Sequence, residues 1–109
     1  MKHILNPQAQ TLTLVFTGDV LSTNASNLRQ EIFTLLESDE VKRTSWQTLD
    51  LDLTATQMID SMGLNLLVSV IKLARNRSAK VVGRIASPNV QRALLFTRLN
   101  TQMELVMAA

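Results

Sequence analysis

The chain reads as an α/β protein: a sheet containing parallel strands, with helices covering at least one of its faces. Two observations predict this. Segments whose apolar residues recur every second position alternate with segments in which they recur at helical spacing. Turn and capping residues also mark the passages between them, most clearly Asp60-Ser61 and Ser87-Pro88. Alternation of this kind joins neighbouring parallel strands by right-handed crossovers.

Each element follows in order. Pro7 and its polar neighbours leave room for a short edge strand at His3 to Leu5. From Thr11 to Thr17, Leu12, Leu14 and Phe16 share one face, and the β-branched content reinforces a strand. Gly18-Asp19 ends it. Ser22, Thr23 or Asn24 caps a helix in which Ala25, Leu28, Ile32, Leu35 and Leu36 recur at helical spacing. Ser38 to Ser45 reads as a charged connection. Trp46 to Leu53 alternates again, with Leu49, Leu51 and Leu53 together, and Trp46 reads as a packing residue at the strand's start. Thr54, Thr56 and Gln57 form a polar loop; its two threonines carry hydroxyls that could accept a phosphate but read as solvated turn formers.

The next helix runs from about Ser61 to Asn76 and is apolar around most of its circumference, which predicts a largely buried element. Its polar residues Asn65, Ser69, Lys72 and Asn76 step by four, three and four, forming one narrow exposed stripe with Ser61 at its head. Lys80 to Ile85 is a short strand. Ser87-Pro88 then opens a helix with Val90, Ala93, Leu94 and Thr97 on one face and Leu95 and Leu99 flanking it. Met103 to Met107 closes the chain as a strand. A single domain spanning 1–109 is expected.

Composition narrows the function. Hydrophobic content of 46% and charged content of 18% belong to a globular chain, not a disordered one. With no cysteine and one histidine, His3, thiolate metal sites, disulfides and cysteine nucleophiles are excluded, and no His cluster exists to hold a metal. No cofactor is expected. The longest apolar run is broken by Asn65, Ser69 and Lys72, so neither a membrane-inserted segment nor a signal peptide is expected, and the cytoplasm is the expected compartment. The pI of about 9.5 nominally suggests nucleic acid. However, only Lys72 to Arg84 is a basic stretch, and it lacks aromatics to stack on bases. No direct nucleic-acid contact is expected.

The tetrapeptide Asp60-Ser61-Met62-Gly63 carries the functional signal. Position alone favours a cap for a serine at a helix start. Asp60 can cap this helix itself, which leaves the Ser61 hydroxyl available. Gly63 removes side-chain bulk where a partner's backbone or a kinase loop approaches. A phosphate here would place a charge of roughly −1.5 to −2 beside the positive helix end, leaving the fold intact while changing the surface.

The run Leu51-Asp52-Leu53-Thr54, followed by Met58-Ile59-Asp60-Ser61-Met62-Gly63-Leu64, resembles the signature of STAS domains, the anti-sigma factor antagonists and their relatives. Gly18-Asp19 with Asn24-Ala25, and Ser87-Pro88 with Val90, resemble the family's flanking passages. The resemblance implies a four- to five-stranded mixed sheet with helices packed mainly on one face. It implies that Ser61 matches the serine phosphorylated by a partner anti-sigma factor serine kinase, with Asp52 and Asp60 as flanking acids. It further implies partner switching: the unphosphorylated chain binds the kinase and frees a sigma factor, phosphorylation ends binding, and a phosphatase resets the cycle. No catalysis by the chain itself is implied.

Two departures stand out. Met62 replaces the small hydroxyl residue often found after the serine, and adds a flexible apolar group for a partner surface. Thr97-Arg98-Leu99 stands where the family often has a glycine, and Asn100 is the expected left-handed residue. The basic pI implies an electropositive partner contact. Met62, Gly63, Asn65, Ser69 and Lys72 are the expected docking residues. Two rival readings use the same residues. In one, Ser61 only caps, and the stripe is a permanent docking face of a scaffold or of a small subunit of a signalling or membrane-transport complex. In the other, Asp52 and Asp60 pair as catalytic carboxylates. The second lacks a nucleophile–base pair, a glycine-rich phosphate loop or a metal set.

Overall fold

The structure is a computed structural model and describes residues 1–108. Its strands are β1 (Lys2–Asn6), β2 (Thr11–Val15), β3 (Thr48–Leu53), β4 (Lys80–Ile85) and β5 (Glu104–Met107). Its helices are α1 (Ala25–Leu36), α2 (Asp39–Arg43), α3 (Ser61–Asn76) and α4 (Pro88–Phe96), with a 3₁₀ turn at Leu99–Thr101. The sheet order is β1-β2-β3-β4-β5. The β1–β2 pair is antiparallel and the other three are parallel. Because β2 to β5 advance in one direction across the sheet, right-handed crossovers put α1, α3 and α4 on the same face.

The two-residue period sorts the strands accordingly. Leu12 pairs in register with Leu49, which pairs with Val81; Leu14 pairs with Leu51, which pairs with Gly83. These residues are all buried beneath the helices. Phe16, Ile32, Leu66, Leu67, Val70, Ile71, Val90 and Leu94 complete one continuous core. The other face bears Thr13, Asp50, Val82 and Glu104 in one register row. Asp50 is buried there, with one carboxylate oxygen accepting from Arg84 Nη2 at 2.7 Å and the other unpaired among the described residues.

Several local expectations change. Ser38 to Ser45 is not a plain connection, since Asp39–Arg43 forms α2. Its acids Asp39 and Glu40 sit in the first turn and its bases Lys42 and Arg43 in the last, matching the helix dipole, and Val41 is buried. Trp46 is buried but precedes β3, with the Arg77 guanidinium 3.8 Å above its ring. The left-handed residue after α4 is Arg98 (φ 60°), not Asn100, because the helix stops at Phe96 and Thr97 is its C-cap. Asn100 lies inside the 3₁₀ turn. Leu73 is 39% exposed, so α3 is less enclosed than its composition suggests.

Candidate functional site

The loop after β2 and the loop before α3 are laced together, and this lacing sets the head of α3. The Val20 N–H donates to the Met58 carbonyl at 3.2 Å, and the Asp60 N–H donates to the Val20 carbonyl at 3.3 Å, forming a short parallel bridge between Val20 and Ile59. Asp19 Oδ1 accepts from the backbone N–H groups of Gln57 and Met58. The Thr56 hydroxyl donates to the Gly18 carbonyl at 2.7 Å. Thr56 is fully buried, so it is neither a solvated turn former nor an accessible acceptor for a phosphate.

Asp60 occupies the N-cap of α3 in an extended conformation. Its Oδ1 accepts from the Gly63 N–H at 2.9 Å, and its Oδ2 accepts from the Ser22 N–H at 2.7 Å. The first bond satisfies an orphan amide of the helix start; the second ties the approach to α1 to the same point. Both bonds favour the ionised carboxylate, with the Gly63 N–H contributing most and the Ser22 N–H next, and they hold its pKa below the ordinary 3.8. Capping is therefore done by Asp60. Ser61 follows as the first helical residue and is exposed. Met62 beside it is 47% exposed.

The other expected site residues divide. Asn65 and Lys72 are exposed on α3 as the stripe predicts. Ser69 is only half-buried surface: its hydroxyl donates to the Asn65 carbonyl at 3.1 Å and accepts from Arg29 Nη1 of α1 at 3.0 Å. Gly63 differs most from expectation. It is buried, and a Cβ built there would stand 2.2 Å from the Val20 carbonyl oxygen. Its missing side chain makes room for this chain's own loop, not for a partner. Asp52 projects from the sheet face away from the helices, in the register row of Val15 and Arg84. There its Oδ1 accepts from the N–H and the hydroxyl of Thr54. Asp52 and Asp60 are thus committed to different local structures and do not form a carboxylate pair.

Sequence reading passed over one residue. Phe96 is 90% exposed at the end of α4, next to Leu95 at 46%. At roughly 100° per residue, Phe96 falls well away from the buried Val90 and Leu94. An aromatic on the outer face of an amphipathic helix is the signal that would have found it.

Comparison with known proteins agrees with this fold. The sequence matches the STAS domain over residues 4–107. No curated protein matches it by sequence. A Thermotoga maritima structure described as that of a candidate anti-sigma factor antagonist superposes with a TM-score of 0.79 at 18% identity, covering 99% of this chain and 86% of that one. An anti-sigma factor antagonist from Mycobacterium paratuberculosis gives 0.74 at 18% identity, covering 95% and 83%. The anti-sigma factor antagonist SpoIIAA in its unphosphorylated form gives 0.68 at 13% identity, covering 99% and 88%. At such identities the likeness is one of fold: a five-stranded mixed sheet with its helices on one face. With the sequence match spanning nearly its whole length, the chain belongs to the STAS domain family.

Proposed function

We propose that this chain is an anti-sigma factor antagonist in a partner-switching pathway. Its unphosphorylated form binds an anti-sigma factor serine kinase and frees the sigma factor; phosphorylation of Ser61 ends the binding, and a phosphatase restores it. The circuit acts in the cytoplasm, and the chain is its substrate and ligand, not its catalyst. One observation supports this reading above the others: Asp60 supplies the cap of α3 and leaves the neighbouring Ser61 exposed. A serine needed only to cap would occupy Asp60's position.

The physics of the switch follows from the same geometry. Ser61 sits at the positive end of a helix of 16 residues, which accommodates a phosphate without unfolding. From Ser61 to Met103 the chain carries seven Lys and Arg and no Asp or Glu, so a partner docked on this half meets a positive surface. A phosphoserine beside the ionised Asp60 places two adjacent anionic groups on that surface. Met62, Asn65 and Lys72 are the docking residues we retain. Gly63 and Ser69 serve the chain's own packing.

The test is binding of the anti-sigma kinase by Ser61→Ala and Ser61→Asp. The account expects Ser61→Ala to bind like the wild type and Ser61→Asp to bind about a hundredfold more weakly. Equal binding by both variants would remove the switch and leave a permanent scaffold.

A further inference from the structure

We infer that the outer face of α4, centred on Phe96, is a second contact for the same partner, continuous with the Ser61 end of α3. The partner surface that fits it carries an apolar pocket edged by carboxylates. This rests on the proposed antagonist function and extends its docking surface to a second helix.

Apolar area stands here where the core does not need it. Phe96 contributes nothing to the core at 90% exposure, and Leu95 beside it is 46% exposed. Single exposed apolar residues are ordinary, but these two are not isolated. They line a shallow depression of about 640 Å³ together with Ala93, Thr97, Arg92 and Leu64. Leu64 belongs to α3, three residues beyond Ser61 and therefore one turn away on the same side. The depression thus reaches from Phe96 on α4 to the first turn of α3, the turn that Ser61 opens.

Charge points to the same surface. Arg92 donates only to neutral oxygens, the Pro88 carbonyl and Asn89 Oδ1, so its charge is uncompensated. Arg98 follows the helix in the left-handed conformation and is exposed. Neither forms an ion pair among the described residues, whose two salt bridges are Lys80–Glu104 and Arg84–Asp50. An apolar anchor flanked by two unpaired cations matches a pocket with acidic edges. The same edges would be repelled by a phosphate on Ser61, which ties this patch to the switch. Phenylalanine and arginine are both enriched at protein interfaces relative to the rest of the surface.

The experiment compares wild type, Phe96→Ala, Arg92→Glu and Ser61→Asp for binding to the anti-sigma serine kinases of the chain's own organism, by titration calorimetry and association kinetics. Phe96 is almost fully exposed, so Phe96→Ala is expected to keep the wild-type thermal melt. The expected result is a loss of affinity of about thirtyfold or more for Phe96→Ala, and slower association for Arg92→Glu. Wild-type affinity in Phe96→Ala, with Ser61→Asp impaired, would overturn this inference and leave the switch standing. A wild-type chain that binds none of the kinases would overturn both. A wild-type dimer that Phe96→Ala renders monomeric would assign the patch to a second copy of the chain and also overturn the inference.

Discussion

Replacing Gly63 with alanine sets two effects of opposite sign against each other. Gly63 lies in the first turn of α3, where alanine is favoured over glycine by about 1 kcal/mol of helix propensity. If the glycine were there to admit a partner, the substitution would stabilise the free chain. The structure predicts the reverse. The added Cβ would stand 2.2 Å from the Val20 carbonyl oxygen, 2.8 Å from Ile59 Cγ1 and 3.0 Å from the Val20 carbonyl carbon. Two of these atoms are backbone, and Val20 is held through its N–H to Met58 and its carbonyl to the Asp60 N–H. Relief requires moving the bridge. Overpacking costs about 1–3 kcal/mol, and losing a bridge hydrogen bond adds about 1 kcal/mol. Subtracting the propensity gain leaves a destabilisation of about 1–3 kcal/mol. Urea denaturation reads this as a lower midpoint at unchanged slope. A Gly63→Ala chain as stable as the wild type, or more so, would refute the claim that Gly63 serves the lacing of the two loops.

Other outcomes follow from the same contacts. Asp60→Ala is expected to destabilise the chain at neutral pH. Because the folded carboxyl titrates below 3.8, its contribution is complete above that value and fades as pH falls through the folded pKa, so the two chains should converge in acid; denaturation midpoints across pH 2 to 7 check this. Arg77→Gln removes the guanidinium stacked on the only tryptophan and is expected to cost about 1 kcal/mol and to shift Trp46 fluorescence. Arg84→Ala leaves the buried Asp50 carboxylate without its partner and is expected to cost about 1–3 kcal/mol. Lys80→Ala breaks a pair whose side chains are 65% and 55% exposed and is expected to cost less than about 1 kcal/mol. Thermal melts of the two variants side by side test that contrast.

The fold was legible because its signals are periodic and local. Leu12 and Leu14, and Leu49, Leu51 and Leu53, announce their strands by alternation, and all are fully buried beneath the helices. Ser87 was recognisable as a cap, and its hydroxyl does accept from the Asn89 and Val90 N–H groups. What escaped depends on contacts distant in sequence. Thr56 reads as a loop residue, and only Gly18, 38 positions earlier, buries its hydroxyl. Ser69 fits an exposed stripe until Arg29 reaches across from α1. Gly63 looks permissive from its neighbours, whereas its constraint comes from Val20. Asp50 reads as an ordinary polar member of the β3 alternation, and its burial on the open face depends on adjacent strands that the sequence does not pair by itself. The cap at Asp60 was readable because its reach is three residues; the bond to Ser22 was not.

The central claim is that Ser61 is a switch and not merely a helix-start residue. Intact-mass spectrometry tests it most directly: the chain and Ser61→Ala are incubated with ATP and each anti-sigma serine kinase of its own organism. The account predicts a single added phosphate on the wild type and none on Ser61→Ala. A kinase that binds the chain yet leaves its mass unchanged, or one that phosphorylates Ser61→Ala equally well, would contradict it.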